Sequence, residues 1–149
     1  MMKKNILFIT LIFFLVNCGF TPIYLMNTDI NFSIEKVNYT GDKELNNFLK
    51  TNLDQYKNNK INNKIFVEAK SKYKKVILSK NGAGVVTNYE LIAEVVFLIK
   101  PANRIIKISE KKIMNSLDDK FEETKYEKSS KQNFASSISN KLVSEIIIN

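Results

Sequence analysis

The chain has 149 residues and a mass of 17.2 kDa, room for one domain but not for two independent cores. Hydrophobic residues make up 44% and charged residues 26%, which excludes a wholly disordered chain and a multi-span membrane protein. There is no histidine and only one cysteine, so the chain cannot by itself build a His/Cys zinc site, a Cys–His nucleophile or a Ser–His–Asp triad. No metal, cofactor or enzymatic activity is expected. The charge of +8 comes almost wholly from lysine, with Arg104 the only arginine.

The first residues set the expected compartment. Met1-Met2-Lys3-Lys4 is a short basic start. Ile6 to Val16 is an apolar run of eleven residues, within the range of a signal peptide and well short of the ~20 needed to span a bilayer. Leu15-Val16-Asn17-Cys18 then resembles a bacterial lipobox. In that motif the chain is cut before the cysteine, and the thiol is the nucleophile that accepts a diacylglycerol. The expectation is a leader over 1–17, a lipidated tether over 18–29 and a single α+β domain over 30–149. Lipidation at Cys18 would tie the protein to a membrane. By resemblance to lipoprotein sorting rules, Gly19 in place of Asp favours the outer membrane, with the domain on the periplasmic side. Losing Lys3 and Lys4 lowers the charge to about +6, which still favours an anionic partner. Outside the cytoplasm nucleic acid is not an expected partner. An anionic lipid or an acidic protein surface takes its place.

The mature chain reads as strand, helix, three strands, helix. Ile30, Phe32 and Ile34 alternate, then Val37 and Tyr39 take the opposite parity, which predicts a strand with a bulge near Glu35-Lys36. Asp42 is an N-cap candidate, and Leu45, Phe48, Leu49, Leu53 and Tyr56 follow at helical spacing. Lys64 to Ser79 alternates as a long strand. Lys80-Asn81-Gly82-Ala83-Gly84 is a turn. Thr87 to Lys100 is the most regular strand, and after a turn at Pro101 the chain returns over Arg104 to Asn115. Ser116 to Lys128 is polar and reads as a loop running into a helix that starts near Thr124 or Tyr126. Phe134, Ile138, Leu142 and Ile146, four apart, give that helix its apolar stripe.

The fold class predicted is α+β, a two-layer sandwich. A small four-stranded mixed or antiparallel sheet carries two helices on one face in the order β-α-β-β-β-α. The opposite sheet face should be polar if it meets only water. On the middle strand it carries Ile92, Val96 and Leu98 beside Glu90 and Glu94, so these five are candidate contacts to a partner. Lys70, Lys72 and Lys74 project from one side of the preceding strand, with Lys75 nearby. Ammonium groups in a row suit phosphate as point charges. A solvated face, or lysines guarding an edge strand, accounts for the same pattern. Glu90 and Glu94 are neighbours on one strand face, without a ligand cluster that would give them chemistry.

The lipobox, the segment Cys18-Gly19-Phe20-Thr21-Pro22-Ile23-Tyr24, the element order, Tyr89-Glu90-Leu91 heading the central strand and Ala135 in the last helix together resemble the lipopolysaccharide-assembly lipoprotein LptE family, in its alphaproteobacterial form. The resemblance spans essentially all of 18–149. It implies an outer-membrane lipoprotein that plugs the LptD β-barrel, assists its assembly and helps deliver lipopolysaccharide to the outer leaflet. It also implies two partners, an LptD-type barrel and lipopolysaccharide, with Lys70, Lys72, Lys74 and Lys75 as candidates for binding the latter. The alternative is a lipoprotein subunit of an ABC-type lipid transport or other envelope complex.

Overall fold

A computed structural model describes residues 30–58 and 60–148. The expected leader over 1–17, Cys18 and the tether over 18–29 lie outside the described residues. The elements are β1 (Ser33–Gly41), α1 (Lys43–Leu53), a 3-10 turn (Asp54–Tyr56), β2 (Lys64–Lys80), β3 (Val86–Lys100), β4 (Arg104–Asn115) and α2 (Lys120–Ile148). The sheet order is β1-β2-β3-β4, with β1 parallel to β2 and the other two pairs antiparallel. This is the α+β architecture that the sequence predicts.

Local chemistry explains most boundaries. The parity switch in β1 is a register shift between Ile34 and Lys36. At the start of α1, the Leu45 amide donates to Asp42 Oδ1 at 2.8 Å, so Asp42 is the N-cap. Helix α2 begins at Lys120, earlier than the expected start near Thr124. The reason is a second aspartate cap. Asp119 Oδ1 accepts from the amides of Phe121 at 2.8 Å and Glu122 at 3.4 Å. The turn between β3 and β4 carries a cis Lys100–Pro101 bond and holds Asn103 at φ 53°, in the left-handed region that asparagine tolerates.

Both helices lie on one sheet face, and the core forms between the layers. Ile65, Val67 and Ala69 of β2 and Leu91, Ala93, Val95, Phe97 and Ile99 of β3 point into it. Leu45, Leu49 and Leu53 of α1 and Phe134, Ile138 and Leu142 of α2 close it from above. At the free edge, α2 is tied to β4 by charge. Glu110 accepts from Ser137 at 2.7 Å and Lys141 at 2.6 Å, and Arg104 donates to Glu145 at 2.9 Å. Burial raises the pKa of the Glu110 carboxyl, but these two hydrogen bonds outweigh it and hold the value below the usual range.

Gly41 joins β1 to α1 at φ 100°, where an L side chain is strained. A Cβ there would overlap the Ser71 carbonyl oxygen of the neighbouring strand. Backbone cannot give way as a side-chain tip can. We expect Gly41→Ala to destabilise the fold by about 2 kcal/mol or more, read as a lower urea midpoint at unchanged slope. Gly82, with no heavy atom within 4 Å of its would-be Cβ, should tolerate Ala with little change.

Candidate functional site

Among the described residues, no layer lies over the sheet face away from the helices. Strict alternation decides what stands there. Strand β2 contributes Phe66, Glu68, Lys70, Lys72, Lys74 and Val76, while its other parity is buried as far as Ser71. Strand β3 contributes Glu90, Ile92, Glu94, Val96 and Leu98, all half-buried. Strand β4 contributes Ile105, Lys107, Ser109, Lys111 and Ile113.

Register turns these lists into rows. Lys70 pairs with Val96, which pairs with Lys107. Lys72 pairs with Glu94, which pairs with Ser109. Lys74 pairs with Ile92, which pairs with Lys111. Ile92 and Val96 of the central strand, with Glu94 between them, are therefore flanked by lysine on both sides. From strand spacing, lysines facing each other across β3 have backbones roughly 10 Å apart, and Lys70 and Lys74 are separated by roughly 13 Å along β2. The four mark the corners of a small rectangle around Ile92, Glu94 and Val96.

The charges on this face are unevenly paired. Lys100 binds Glu68 at 2.6 Å, and Lys111 lies 3.9 Å from Glu90. Lys70, Lys72, Lys74 and Lys107 have no ion pair among the described residues. Unpaired ammonium groups beside half-buried aliphatic side chains can take an anionic amphiphile, or a protein wall that is itself acidic and apolar.

No protein-family model matches the chain, and no curated protein matches it by sequence. Solved structures do share its fold. Rare lipoprotein B from Shewanella oneidensis is 18% identical, with a TM-score of 0.54 over 75% of this chain and 96% of that one. An uncharacterized lipoprotein B from Nitrosomonas europaea is 16% identical, with a TM-score of 0.52 over 76% and 83%. A minor lipoprotein from Acinetobacter baumannii is 12% identical, with a TM-score of 0.51 over 74% and 93%. At such identities the likeness is one of fold.

The structure brings together most of the residues singled out from sequence. Lys70, Lys72 and Lys74 share the open face with Glu90, Ile92, Glu94, Val96 and Leu98. Lys75 does not join them. It points to the helix side, where its Nζ binds Glu123 at 2.7 Å and Glu127 at 3.2 Å and sits 4.4 Å from the centre of the Tyr89 ring. Adjacent strand residues face opposite ways, so Lys75 cannot extend the row of Lys70 to Lys74. Lys107 and Lys111 complete the face and were not singled out. Their parity with Ile105 and Ser109 was legible in the sequence, but which β3 residues they flank is a matter of register.

The Lys75 cluster fastens the start of α2 to the sheet. Burial alone would lower the Lys75 pKa, but its bonds to Glu123 and Glu127 win and raise it. The buried Glu123 carboxylate is held down to about 2, chiefly by the hydrogen bond from Lys75, against the opposing effect of burial and with help from the Leu117 amide and Lys120. A depressed carboxylate contributes stability in full above its unfolded value of 4.5, and that contribution is lost as pH falls toward 2. We expect Glu123→Gln to cost on the order of 1–2 kcal/mol at neutral pH, since water reaches Lys75 and Lys120 and screens the cluster. Denaturant titrations across acid pH should show the variant losing less stability than the parent between pH 4.5 and 2.

Proposed function

We propose that this chain is an outer-membrane lipoprotein of the lipopolysaccharide-transport machinery, a plug for an LptD-type β-barrel that handles lipopolysaccharide there. The observation that carries this reading is the sheet face left open among the described residues, where Ile92, Glu94 and Val96 are ringed by Lys70, Lys74, Lys107 and Lys111. Support comes from the fold shared with proteins described as lipoproteins, including rare lipoprotein B. The leader that resembles a lipobox, ending at Cys18, adds the membrane tether. The role is one of binding and assembly, not catalysis.

The physical logic is that of a two-faced wedge. One face of the sheet is committed to its own helices. The other offers cations and short aliphatic side chains to the polar lumen of a large barrel. Lipid A carries phosphates on an acylated disaccharide. Lysines at the corners of the rectangle meet phosphate as point charges, and Ile92 and Val96 between them supply apolar contact.

Two measurements test the reading. Purification of the tagged protein from its native envelope in mild detergent should recover a large β-barrel in stoichiometric amount, and Val96→Asp should reduce that recovery. Inner-membrane transporter components without a barrel would reject the plug in favour of a transporter-associated lipoprotein. Changing Lys70, Lys74, Lys107 and Lys111 together to Ala should weaken lipopolysaccharide binding about tenfold or more, taking each exposed cation in the lower half of ~0.2–1 kcal/mol. Unchanged affinity at both low and moderate salt would sink the lysine assignment.

A further inference from the structure

The exposed apolar side chains are not scattered. Seven of the twelve large ones among the described residues lie at one end of the molecule, around the β2–β3 turn. Val76, Ile77, Leu78 and Val85 stand on the hairpin itself. Ile113 and Leu117 follow at the adjoining end of β4, and Phe121 in the first turn of α2 is 73% exposed. The sheet tapers here. Strand β1 stops pairing opposite Ser71 and β4 stops opposite Asn88, so only the β2–β3 hairpin continues. The result is a protruding tip, not a groove.

Two further features separate this tip from an ordinary solvated turn. Residues 76–89 carry a single charge, Lys80, in a chain that is 26% charged. Several polar groups of the turn are also paired within it. Asn81 Oδ1 accepts from the amides of Ala83 and Val85, both at 3.0 Å. The Gly84 amide donates to the Asn81 carbonyl at 2.9 Å, and the Asn81 amide to the Val85 carbonyl at 2.8 Å. Ser79 is bound to Thr87 at 2.6 Å and to Asn88 at 2.7 Å. Water demands none of this internal pairing. A hydrocarbon medium does, because an unpaired N–H or C=O there is costly.

From these features we propose that the β2–β3 hairpin tip inserts into the interfacial region of a phospholipid bilayer, as a membrane contact separate from any lipid on Cys18. A convex apolar tip fits a deformable lipid phase better than the polar lumen of a barrel. Lys80 has an aliphatic stem long enough to carry its ammonium back to the headgroups. Leu117 and Phe121 stand among the exposed charges of Asp118, Asp119, Lys120 and Glu122 and stay outside the inserted segment. The proposal does not rest on the barrel reading, since it concerns the end of the sheet and not its open face, and it places this end of the molecule outside any barrel lumen.

The chain contains no tryptophan, so one substitution supplies a site-specific probe. Full-length protein carrying Val85→Trp is mixed with vesicles of phosphatidylethanolamine and phosphatidylglycerol. Leu78→Trp serves as a second probe, and Gln132→Trp, on the exposed side of α2, is the reference. The tip probes should shift to the blue and be quenched by lipids brominated in the acyl chains, and the reference should do neither. Adding Leu78→Asp to the Val85→Trp protein should abolish the quenching. Three results would overturn the proposal: no quenching at either tip probe, equal quenching at Gln132→Trp, or a blue shift of the tip already complete without vesicles, as self-association would give.

Discussion

The alternation of side chains along β3 is the constraint on which the rest depends. Strand β3 lies inside the sheet between β2 and β4. Its odd-numbered residues from Leu91 to Ile99 are buried under two helices, and its even-numbered ones are half-buried on the open side. A slip of one residue would put Phe97 and Leu91 into solvent and Glu90 and Glu94 into the core. The register of β3 with both neighbours runs without a shift over the whole core segment. From that one strand follow the layer order, the position of the helices and the composition of the exposed face.

That face explains how a small α+β domain can be both stable and unfinished. Its helix side is closed by Leu45, Leu49, Phe134, Ile138 and Leu142. The remaining surfaces sort by chemistry. Cations and short aliphatic side chains occupy the middle of the open face, while the large exposed apolar groups collect at the two ends of the strands. Phe66, Ile105, Ile147 and Ile148 stand at the end where Arg104 meets Glu145, and the hairpin tip stands at the other. A protein built only to be soluble would have no cause to separate them in this way.

Much of this was legible in the sequence because the relevant signals are local. Period-two alternation on β2, β3 and β4 assigned the faces, Asp42 marked the start of α1, and the parity switch at Glu35-Lys36 marked the bulge. What was not legible depends on contacts between distant segments. The sequence puts the start of α2 late because Ser116 to Lys128 reads as polar loop, whereas Asp119 caps the helix and Glu123 turns inward to meet Lys75. Lys75 reads as part of a lysine row in the sequence, and only its contact with Glu123 of α2 sets it apart. Lys107 and Lys111 acquire their meaning only once the register sets them across β3 from Lys70 and Lys74.

The central claim is that the lysine-fenced sheet face is covered in the native envelope and open in the isolated protein. Lysine acetylation read by mass spectrometry tests it directly. Lys43 and Lys50, exposed on α1, serve as internal references. Relative to them, Lys70, Lys74, Lys107 and Lys111 should react freely in the purified domain and be strongly protected in intact membranes. Equal reactivity in the two settings would contradict the account.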